Sequence, residues 1–332
     1  MALRWGIAGS GKICSDFVTA VKVLPVANHQ VVAVAARSQS SADNFAKIFN
    51  IPKAYEGYQK LATDSNVEVV YIGVLNPQHY EVAKLMLKNG KHVLCEKPFT
   101  MNEKQTTELL ELAKQKRLFL MEAVWSRCFP VYKELERIIK SGELGEIMHA
   151  SVEFGFPLQG IERLTQKEMG GGAILDLGVY ILQFQQYVFR GLEPTKVLAS
   201  GHLNQYGTDV AVSAILTYPE GKTATVTANA GVEMPCEAVV VGTKGTVKIP
   251  KFWCPTQLIK NGKVQEYPLI DNKGTFNFFN SAGLAYEADE VRDCIKDGKL
   301  ESERITHSET LQLSKLMDNL RSQLGVVFDS DK

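Results

Sequence analysis

The first third of the chain alternates short apolar runs with amphipathic segments. Leu3–Ala8, Gln30–Ala36 and Val67–Val74 have the apolar content of buried strands. Between such runs, Gln78–Asn89 and Asn102–Lys116 carry apolar residues at helical spacing. Because parallel strands of one sheet are joined by right-handed crossovers, usually through a helix, this alternation predicts a doubly wound parallel sheet.

The pattern changes after Trp125, where strand-like runs follow one another with only short turns between them. These runs are Lys196–Leu203, Val210–Tyr218, Thr223–Ala230, Ala238–Val241 and Thr246–Ile249. Consecutive strands of this kind are typical of an antiparallel sheet. We therefore expect an α/β protein with an N-terminal Rossmann domain, residues 1–122. A C-terminal α/β domain, residues 123–332, would be built on an open, mostly antiparallel sheet.

The composition excludes several functions. Lys and Arg total 37 and Asp and Glu total 37, so no net charge attracts nucleic acid or an anionic membrane surface. No apolar run approaches the roughly 20 residues that a membrane span needs. The six cysteines form no C-x-x-C pair and no grouping with histidine, so we expect no metal site and free thiols in a reducing compartment. Because no secretory signal is recognised, the cytosol is the expected location, without nucleic-acid or membrane partners.

A glycine-rich loop follows the first strand. Gly9 and Gly11 match the first two glycines of G-x-G-x-x-G, one for a tight turn and one for close approach of the backbone to a pyrophosphate. Cys14 stands where the third glycine or alanine belongs, and an ordinary turn is the alternative interpretation. The helix that begins here offers N–H groups and the positive end of its dipole. A nucleotide would contact Gly9, Ser10, Gly11, Lys12 and Ile13.

The end of the second strand selects between the two nicotinamide dinucleotides. An acid at this place binds the adenosine ribose of NAD, whereas this chain has Arg37 followed by Ser38 and no carboxylate from 36 to 39. A guanidinium can bind a 2′-phosphate through two hydrogen bonds, and a hydroxyl can add another. The sequence therefore predicts NADP as the cofactor, while a solvated arginine at a strand end is the alternative interpretation.

Two further motifs carry candidate catalytic residues. Glu96-Lys97-Pro98 closes a parallel strand and places Lys97 at the carboxyl edge of the sheet, where ligands bind in such folds. In the helix after Gly170-Gly171-Gly172, Asp176 and Tyr180 are at positions i and i+4 and share one face. A tyrosine, whose ordinary pKa is about 10, needs a nearby cation to act as a base near neutral pH, and Lys97 would supply it. The alternatives are a surface lysine and a tyrosine packed in the core.

These motifs together resemble the Gfo/Idh/MocA oxidoreductase family. They are Gly-x-Gly after the first strand, Glu96-Lys97-Pro98, and Gly171-Gly172-Ala173 leading to Asp176 and Tyr180. Longer stretches of the sequence are similar to the vertebrate branch of this family. They distinguish this chain from the bacterial sugar and inositol branches. They are Met1-Ala2-Leu3-Arg4-Trp5-Gly6-Ile7, Val31-Val32-Ala33-Val34-Ala35-Ala36-Arg37, Ile51-Pro52-Lys53-Ala54-Tyr55, Phe119-Leu120-Met121-Glu122-Ala123 and Trp253-Cys254-Pro255-Thr256. The resemblance spans nearly the whole chain.

The resemblance implies NADP-linked oxidation of trans-dihydrodiols of aromatic hydrocarbons to catechols. It also implies oxidation of D-xylose at C1 to the lactone, and reduction of dicarbonyls. In these reactions Tyr180 would be the acid/base and Lys97 its electrostatic partner, while Asp176 and His79 would orient the substrate. Further cofactor contacts would come from Asn76, His79 and Glu96.

An aromatic pocket is the expected substrate site. A flat apolar diol needs stacking area, and a sugar can use the same rings through its C–H faces. The candidate side chains are Trp125, Phe154, Trp253 and Phe279, each of which core packing would also explain. Loops 155–170 and 270–282 would shape this pocket.

The resemblance also implies a homodimer formed through the C-terminal sheet, on whose exposed face Met148 and His202 are expected. Two rival functions remain open. One is a sugar dehydrogenase or dicarbonyl reductase that merely tolerates aromatic diols, and the other is a catalytically silent NADPH-binding sensor. Retention of both Lys97 and Tyr180 speaks against the sensor.

Overall fold

The chain forms two compact units, each assembled from separate segments of the sequence. The computed structural model describes residues 2–270 and 274–332. The first unit comprises Met1–Thr100, Lys104–Trp125 and Leu269–Thr310. The second unit comprises Met101–Glu103, Ser126–Pro268 and Leu311–Lys332. This division differs from the predicted one at 122/123 chiefly in residues 269–310, which group with the N-terminal part of the chain.

A parallel sheet forms the centre of the first unit. Its strands are β1 (Leu3–Ala8), β2 (His29–Ala36), β3 (Lys53–Glu56), β4 (Val69–Ile72), β5 (His92–Glu96) and β6 (Leu120–Ala123). Its helices are α1 (Lys12–Val21), α2 (Gln39–Phe49), α3 (Tyr58–Thr63), α4 (His79–Lys88) and α5 (Glu103–Lys116). All neighbouring strands pair in parallel, in the order β3-β2-β1-β4-β5-β6. The strand order reverses between β1 and β4, so a ligand-binding crevice opens at their carboxyl ends.

Two glycines let helix α1 pack tightly against β1 and the segment after β4. The Cys14 side chain of α1 is fully buried, and its Sγ lies 3.4 Å from the Gly73 carbonyl oxygen. A Cβ on Gly73 would lie 2.5 Å from this sulfur, and a Cβ on Gly9 would lie 2.7 Å from the Gly73 carbonyl oxygen. Cys14 therefore fills the space that the two glycines leave open, which explains its presence at the third position of the glycine motif. Burial raises the pKa of the Cys14 thiol to about 12, so the thiol stays protonated at neutral pH.

A larger, mostly antiparallel sheet forms the second unit. Its strands are β7 (Ile147–Gly155), β8 (Lys196–Leu203), β9 (Asp209–Thr217), β10 (Thr223–Asn229), β11 (Glu237–Gly242), β12 (Gly245–Pro250), β13 (Gln257–Lys260) and β14 (Lys263–Glu266). They lie in the order β14-β13-β12-β11-β7-β10-β9-β8. The pair β7 and β10 is parallel, and the other neighbouring pairs are antiparallel. With the parallel sheet of the first unit, this arrangement confirms the predicted fold class.

One face of the second sheet is covered by a helix. Apart from short 3-10 turns, the other helical segments among the described residues are α6 (Pro130–Lys140), α7 (Glu162–Thr165), a π-helical turn (Ile174–Gly178), α8 (Val179–Val188), α9 (Leu284–Lys296) and α10 (His307–Leu324). Every residue of α8 is buried, and α8 packs against β7 and β10. Along β7, Val152 and Phe154 are buried on this side while Ser151 and Glu153 face the other way. The alternation with a period of two residues fixes which face of the sheet forms the core.

Helix α9 explains why residues 269–310 belong to the first unit. Leu284, Ala288 and Val291 recur at helical spacing and are buried. The helix packs against α1, so its apolar stripe completes the core beside the phosphate loop rather than the core of the second sheet.

Met148 and His202 occupy different environments in the second sheet. The register between β7 and β11 shifts from His149 to Ile147, so Met148 lies at a β-bulge, where it is half-buried. His202 is exposed on β8, the edge strand. The exposed position predicted for Met148 is therefore only partly found, because the bulge turns the residue out of the regular alternation.

We predict that Gly73→Ala lowers the free energy of unfolding by about 1–3 kcal/mol, because the new methyl group overpacks the buried contact with the Cys14 sulfur. Urea denaturation measures this effect. In the double variant Cys14→Ala/Gly73→Ala part of the loss should be recovered, since the sulfur is the nearest atom to the new Cβ. Gly160→Ala is the control, because no atom lies within 4 Å of its Cβ position. Equal losses in the single and double variants would contradict the packing described for Cys14.

Candidate active site

The loop after β1 has the geometry of a phosphate-binding turn. Gly9 has a φ of +118°, and the Gly73 carbonyl leaves no room for a side chain there. Gly11, the residue before α1, has nothing within 4 Å of its Cβ position, so its backbone faces open space. Ser10 and Lys12 are exposed, and Ile13 is half-buried. The N–H groups of the first helical turn have no partner within the helix, so this loop is fitted to hold a pyrophosphate.

The end of β2 gathers one cation and several hydroxyl groups at the N-terminus of α2. Arg37 is exposed. The Ser38 side chain caps α2 by accepting a hydrogen bond from the Ser41 N–H at 3.3 Å. The Ser38 hydroxyl also lies 3.2 Å from the Ser40 hydroxyl and 2.9 Å from the Ser41 hydroxyl. A guanidinium, hydroxyl groups and the positive end of a helix dipole all favour an anion at this place.

His79 lies between two strand ends. Its side chain is buried, with Nδ1 2.8 Å from the Pro98 carbonyl oxygen and Nε2 3.1 Å from the Val74 carbonyl oxygen. Burial lowers the pKa of this imidazole, so the neutral ring is favoured. A neutral ring has a single N–H and can donate to only one of these two carbonyl groups, so His79 lies between the segments that follow β4 and β5 and is hydrogen-bonded to one of them. Its role in orienting the substrate stays a prediction. Asn76 is half-buried in the turn just before it.

A buried group of acidic side chains lies at the end of β5. The Tyr71 hydroxyl donates a hydrogen bond of 2.5 Å to Glu96 Oε1, and Glu96 Oε2 accepts one from the Lys97 backbone N–H at 3.2 Å. Glu287 of α9 is fully buried, and within residues 2–270 and 274–332 neither of its carboxyl oxygens has a hydrogen-bond partner. Burial first, and then the charge of Glu96, raise the pKa of Glu287 well above its ordinary value. The neutral form of Glu287 is therefore favoured, and the half-buried Lys97 directly follows Glu96 in the chain.

Three glycines shape the loop that precedes the helix of Asp176 and Tyr180. Gly170 has a φ of +68° and Gly172 a φ of +122°, both in the region that favours glycine. A Cβ on Gly171 would lie 2.7 Å from the Leu164 carbonyl carbon and oxygen. The loop therefore folds tightly back on the segment before it.

Asp176 lies in the π-helical turn Ile174–Gly178, a wide turn of the kind that is frequent at functional sites. Arg163 Nη1 lies 3.3 Å from Asp176 Oδ1, and the Arg163 side chain is 41% exposed. Such a partly solvated pair contributes little to stability. The pair does, however, give Asp176 a cationic neighbour at the place where a polar substrate is expected.

Tyr180 belongs to a cluster of aromatic rings. It is 8% exposed, and its ring centroid lies 5.5 Å from that of Phe154 at an angle of 74°. Phe154 also contacts Trp253 at 4.8 Å, and Phe156 and Phe252 in edge-to-face arrangements. Phe154 is buried and Trp253 is half-buried, so Trp253 is the more accessible of the two predicted pocket residues in this unit.

The other two predicted pocket residues belong to the first unit. Trp125 is 7% exposed and Phe279 is 52% exposed. The segment just before Phe279 is fixed by the buried Asp16 of α1, which accepts hydrogen bonds from the backbone N–H groups of Asn277 at 2.8 Å and Phe278 at 2.9 Å. Of the predicted loop 270–282, residues 271–273 lie outside the described residues.

Within the described ranges, no three His, Cys, Asp or Glu side chains are grouped so that they could hold a metal ion. All six cysteines are buried, and none of them forms a disulfide. No helix described in the structure is long and apolar enough to cross a membrane.

Comparison with known proteins places the chain among oxidoreductases. A family model described as an oxidoreductase family with an NAD-binding Rossmann fold matches residues 3–124, and the model of the GFO/IDH/MocA C-terminal domain matches residues 132–248. A zebrafish (Danio rerio) relative, trans-1,2-dihydrobenzene-1,2-diol dehydrogenase, is 43% identical over 332 residues, which cover 100% of this chain and 99% of the relative. The human (Homo sapiens) protein of that name is 42% identical, with 100% of both chains covered. The chain belongs to the Gfo/Idh/MocA family.

Solved structures of other proteins share the fold. An aldose–aldose oxidoreductase from Caulobacter crescentus, complexed with glycerol, has a TM-score of 0.85 at 20% identity and covers 97% of each chain. A 3-ketoreductase from Actinomadura kijaniata, in complex with NADP and TDP-benzene, has a TM-score of 0.81 at 23% identity and covers 98% of each chain. At this identity the likeness establishes the fold of the Gfo/Idh/MocA family and nothing further.

Several functional candidates in this Gfo/Idh/MocA protein escaped the sequence analysis. In the sequence, Tyr71 looks like one more apolar residue of a buried strand. Glu287 looks like a surface acid, because it stands in the polar segment Tyr286-Glu287-Ala288-Asp289-Glu290. Arg163 and Asp209 are distant in sequence from the helix they contact. Of these four residues, only the burial of Glu287 could have been predicted from the sequence. Glu287 follows Leu284 by three residues, which places it on the buried stripe of α9.

Proposed function

We propose that this member of the Gfo/Idh/MocA family oxidises trans-dihydrodiols of aromatic hydrocarbons to catechols, with NADP as the hydride acceptor. The full-length identity of 43% and 42% to relatives named for this reaction carries the proposal. The chain also carries Lys97, Asp176 and Tyr180, to which we assign the proton transfer and the orientation of the substrate.

Residues of the first unit would hold the cofactor. The first helical turn of α1 suits the pyrophosphate, because the missing side chain of Gly11 leaves the backbone accessible. Arg37, together with the hydroxyl groups of Ser38 and its neighbours at the start of α2, suits a 2′-phosphate. When bound, NADP supplies a nicotinamide ring that accepts a hydride. Glu96, His79 and Asn76 would fix the shape of the nearby strand ends.

Tyr180 would be the acid/base that accepts the hydroxyl proton of the substrate. As the carbinol C–H bond breaks and its hydride leaves, the hydroxyl proton passes to the Tyr180 oxygen and a carbonyl group forms. The resulting hydroxy-dienone becomes a catechol by shifting a proton from carbon to oxygen, so no further oxidant is needed. Lys97 would favour the phenolate of Tyr180 by its positive charge, and Asp176 would hold the second hydroxyl group.

The aromatic cluster supports an apolar, ring-shaped substrate. Phe154 contacts both Tyr180 and Trp253, so the proposed acid/base belongs to the same aromatic cluster as the more accessible indole ring. Trp125 and Phe279 stay predictions as substrate contacts. The same rings can contact the C–H faces of a sugar, and for this reason we include D-xylose and small dicarbonyls as secondary substrates.

We also propose that the protein is a cytosolic homodimer. The outer face of the second sheet carries the exposed side chains of Leu198 and Ile215, which stand opposite each other on β8 and β9. His202 adds a polar group to the same strand, β8. An exposed apolar sheet face of this kind is suited to a second copy of the chain.

We predict that Tyr180→Phe lowers kcat for the diol by about 10²–10⁴-fold, because the acid/base oxygen is removed. NADPH binding, measured by protein fluorescence, should stay at the wild-type level. Tyr206→Phe is the matched control, because Tyr206 is exposed at 48% and is distant in sequence from these motifs. Wild-type kcat in Tyr180→Phe would remove the proposed role of Tyr180.

We predict that Arg37→Glu raises the KM for NADP⁺ by about 10- to 100-fold, because a charged hydrogen bond to the 2′-phosphate is replaced by repulsion. The KM for NAD⁺ should change by much less. Lys47→Glu, which reverses an exposed charge in the last turn of α2, the helix that follows Arg37, serves as the control. Equal losses for the two cofactors would show that Arg37 does not bind the 2′-phosphate.

A further inference from the structure

Asp209, the first residue of β9, is a buried carboxylate outside the motifs discussed so far. It is 2% exposed. Its Oδ2 accepts a hydrogen bond of 2.6 Å from the backbone N–H of Ile174. Because Ile174 lies in the first turn of the helical segment, this N–H has no partner within that turn, and Asp209 satisfies it from another part of the second unit.

The second carboxyl oxygen faces the glycine loop. A Cβ on Gly172 would lie 2.4 Å from Asp209 Oδ1, so only glycine allows the loop to come this close. Within the part of the chain that the structure describes, Oδ1 has no hydrogen-bond partner. The loop is held from its other side, where the Gly172 N–H donates to the Leu164 carbonyl oxygen at 2.9 Å. Asp209 and Leu164 therefore contact the same turn from two sides.

The charge of Asp209 is maintained despite burial. Burial raises the pKa of the carboxyl group to about 6, while the Ile174 N–H, its own N–H and the Arg321 guanidinium of α10 counteract a larger rise. The group is therefore ionised near neutral pH. Burial of an anion is unfavourable unless its contacts stabilise the charge. Here the positive end of a helix dipole stabilises the carboxylate of Asp209.

We propose that Asp209 is the positioning residue that fixes the start of the catalytic helix, and thereby the places of Asp176 and Tyr180. The helical segment runs from Ala173 through the π-helical turn into α8 without interruption, so a shift at Ile174 is transmitted to both side chains. This inference rests on the proposed function, because it gives these two residues their roles in the reaction. Asp209 itself touches no reacting atom.

The test compares Asp209→Asn and Asp209→Ala. Asparagine keeps an oxygen that can accept the Ile174 N–H but loses the charge, and alanine removes both. We expect kcat for the diol to fall by about 10-fold in Asp209→Asn and by up to about 100-fold in Asp209→Ala, the size of effect that a small misplacement of catalytic groups produces. The Kd for NADPH should remain unchanged, because the residues proposed to bind it belong to the first unit. Glu233→Gln, which neutralises an exposed acid of the second unit, is the control and should keep wild-type kcat.

Amide hydrogen exchange of residues 173–180 provides a second readout that does not depend on turnover. Faster exchange of these amides in both Asp209 variants supports the proposal, and wild-type exchange together with wild-type kcat in Asp209→Ala overturns it. If Asp209→Ala does not fold, the same two measurements, amide exchange and kcat, are made on Asp209→Asn and are interpreted in the same way. Failure of the proposed function has a different signature, since the wild-type enzyme would then lack turnover while the exchange measurement still tests the role of Asp209.

Discussion

The close contact between two backbone segments at the carboxyl ends of β1 and β4 is the constraint on which the first unit depends. Gly9 approaches the Gly73 carbonyl so closely that a Cβ would lie 2.7 Å from its oxygen, and Cys14 fills the space that remains. This contact turns the chain sharply into α1 at the point where the strand order reverses. The first-turn N–H groups of α1 consequently face the crevice of the sheet, which is the property that makes a dinucleotide site possible.

A similar device recurs in the second unit, where the missing Cβ of Gly172 lets Asp209 reach the start of the helix with Asp176 and Tyr180. In both units a glycine allows close approach and a helix begins directly afterwards. The first helix is the one we propose for the phosphate groups, and the second presents a tyrosine among aromatic rings. Around β5, Tyr71 donates a hydrogen bond to Glu96, the residue before Lys97, and the charge of Glu96 adds to the effect of burial in raising the pKa of Glu287.

The fold was largely predictable, because long segments in which apolar residues recur with a clear period indicate whether they form a strand or a helix. The strands Leu3–Ala8 and Lys196–Leu203 are found with the predicted bounds, and the helix predicted over Gln78–Asn89 is found at His79–Lys88. The strands β3, β13 and β14 were not predicted, because their residues are mostly exposed or half-buried and lack the continuous apolar run of the equally short β4. The backbone surroundings of His79 could not be predicted, because the Pro98 and Val74 carbonyl groups leave no signature in the sequence. Likewise Asp209 acts across 35 residues of sequence, a separation that no local motif reveals.

The central claim is that this Gfo/Idh/MocA protein is a dehydrogenase of aromatic trans-dihydrodiols rather than of sugars. The most direct measurement is the kcat/KM of the wild-type enzyme for trans-1,2-dihydrobenzene-1,2-diol and D-xylose with NADP⁺, and for diacetyl with NADPH, followed by NADPH absorbance. The account predicts the highest kcat/KM for the diol, with catechol as the product. Efficient turnover of xylose or diacetyl without oxidation of the diol would contradict it, and so would tight NADPH binding without turnover of any of the three.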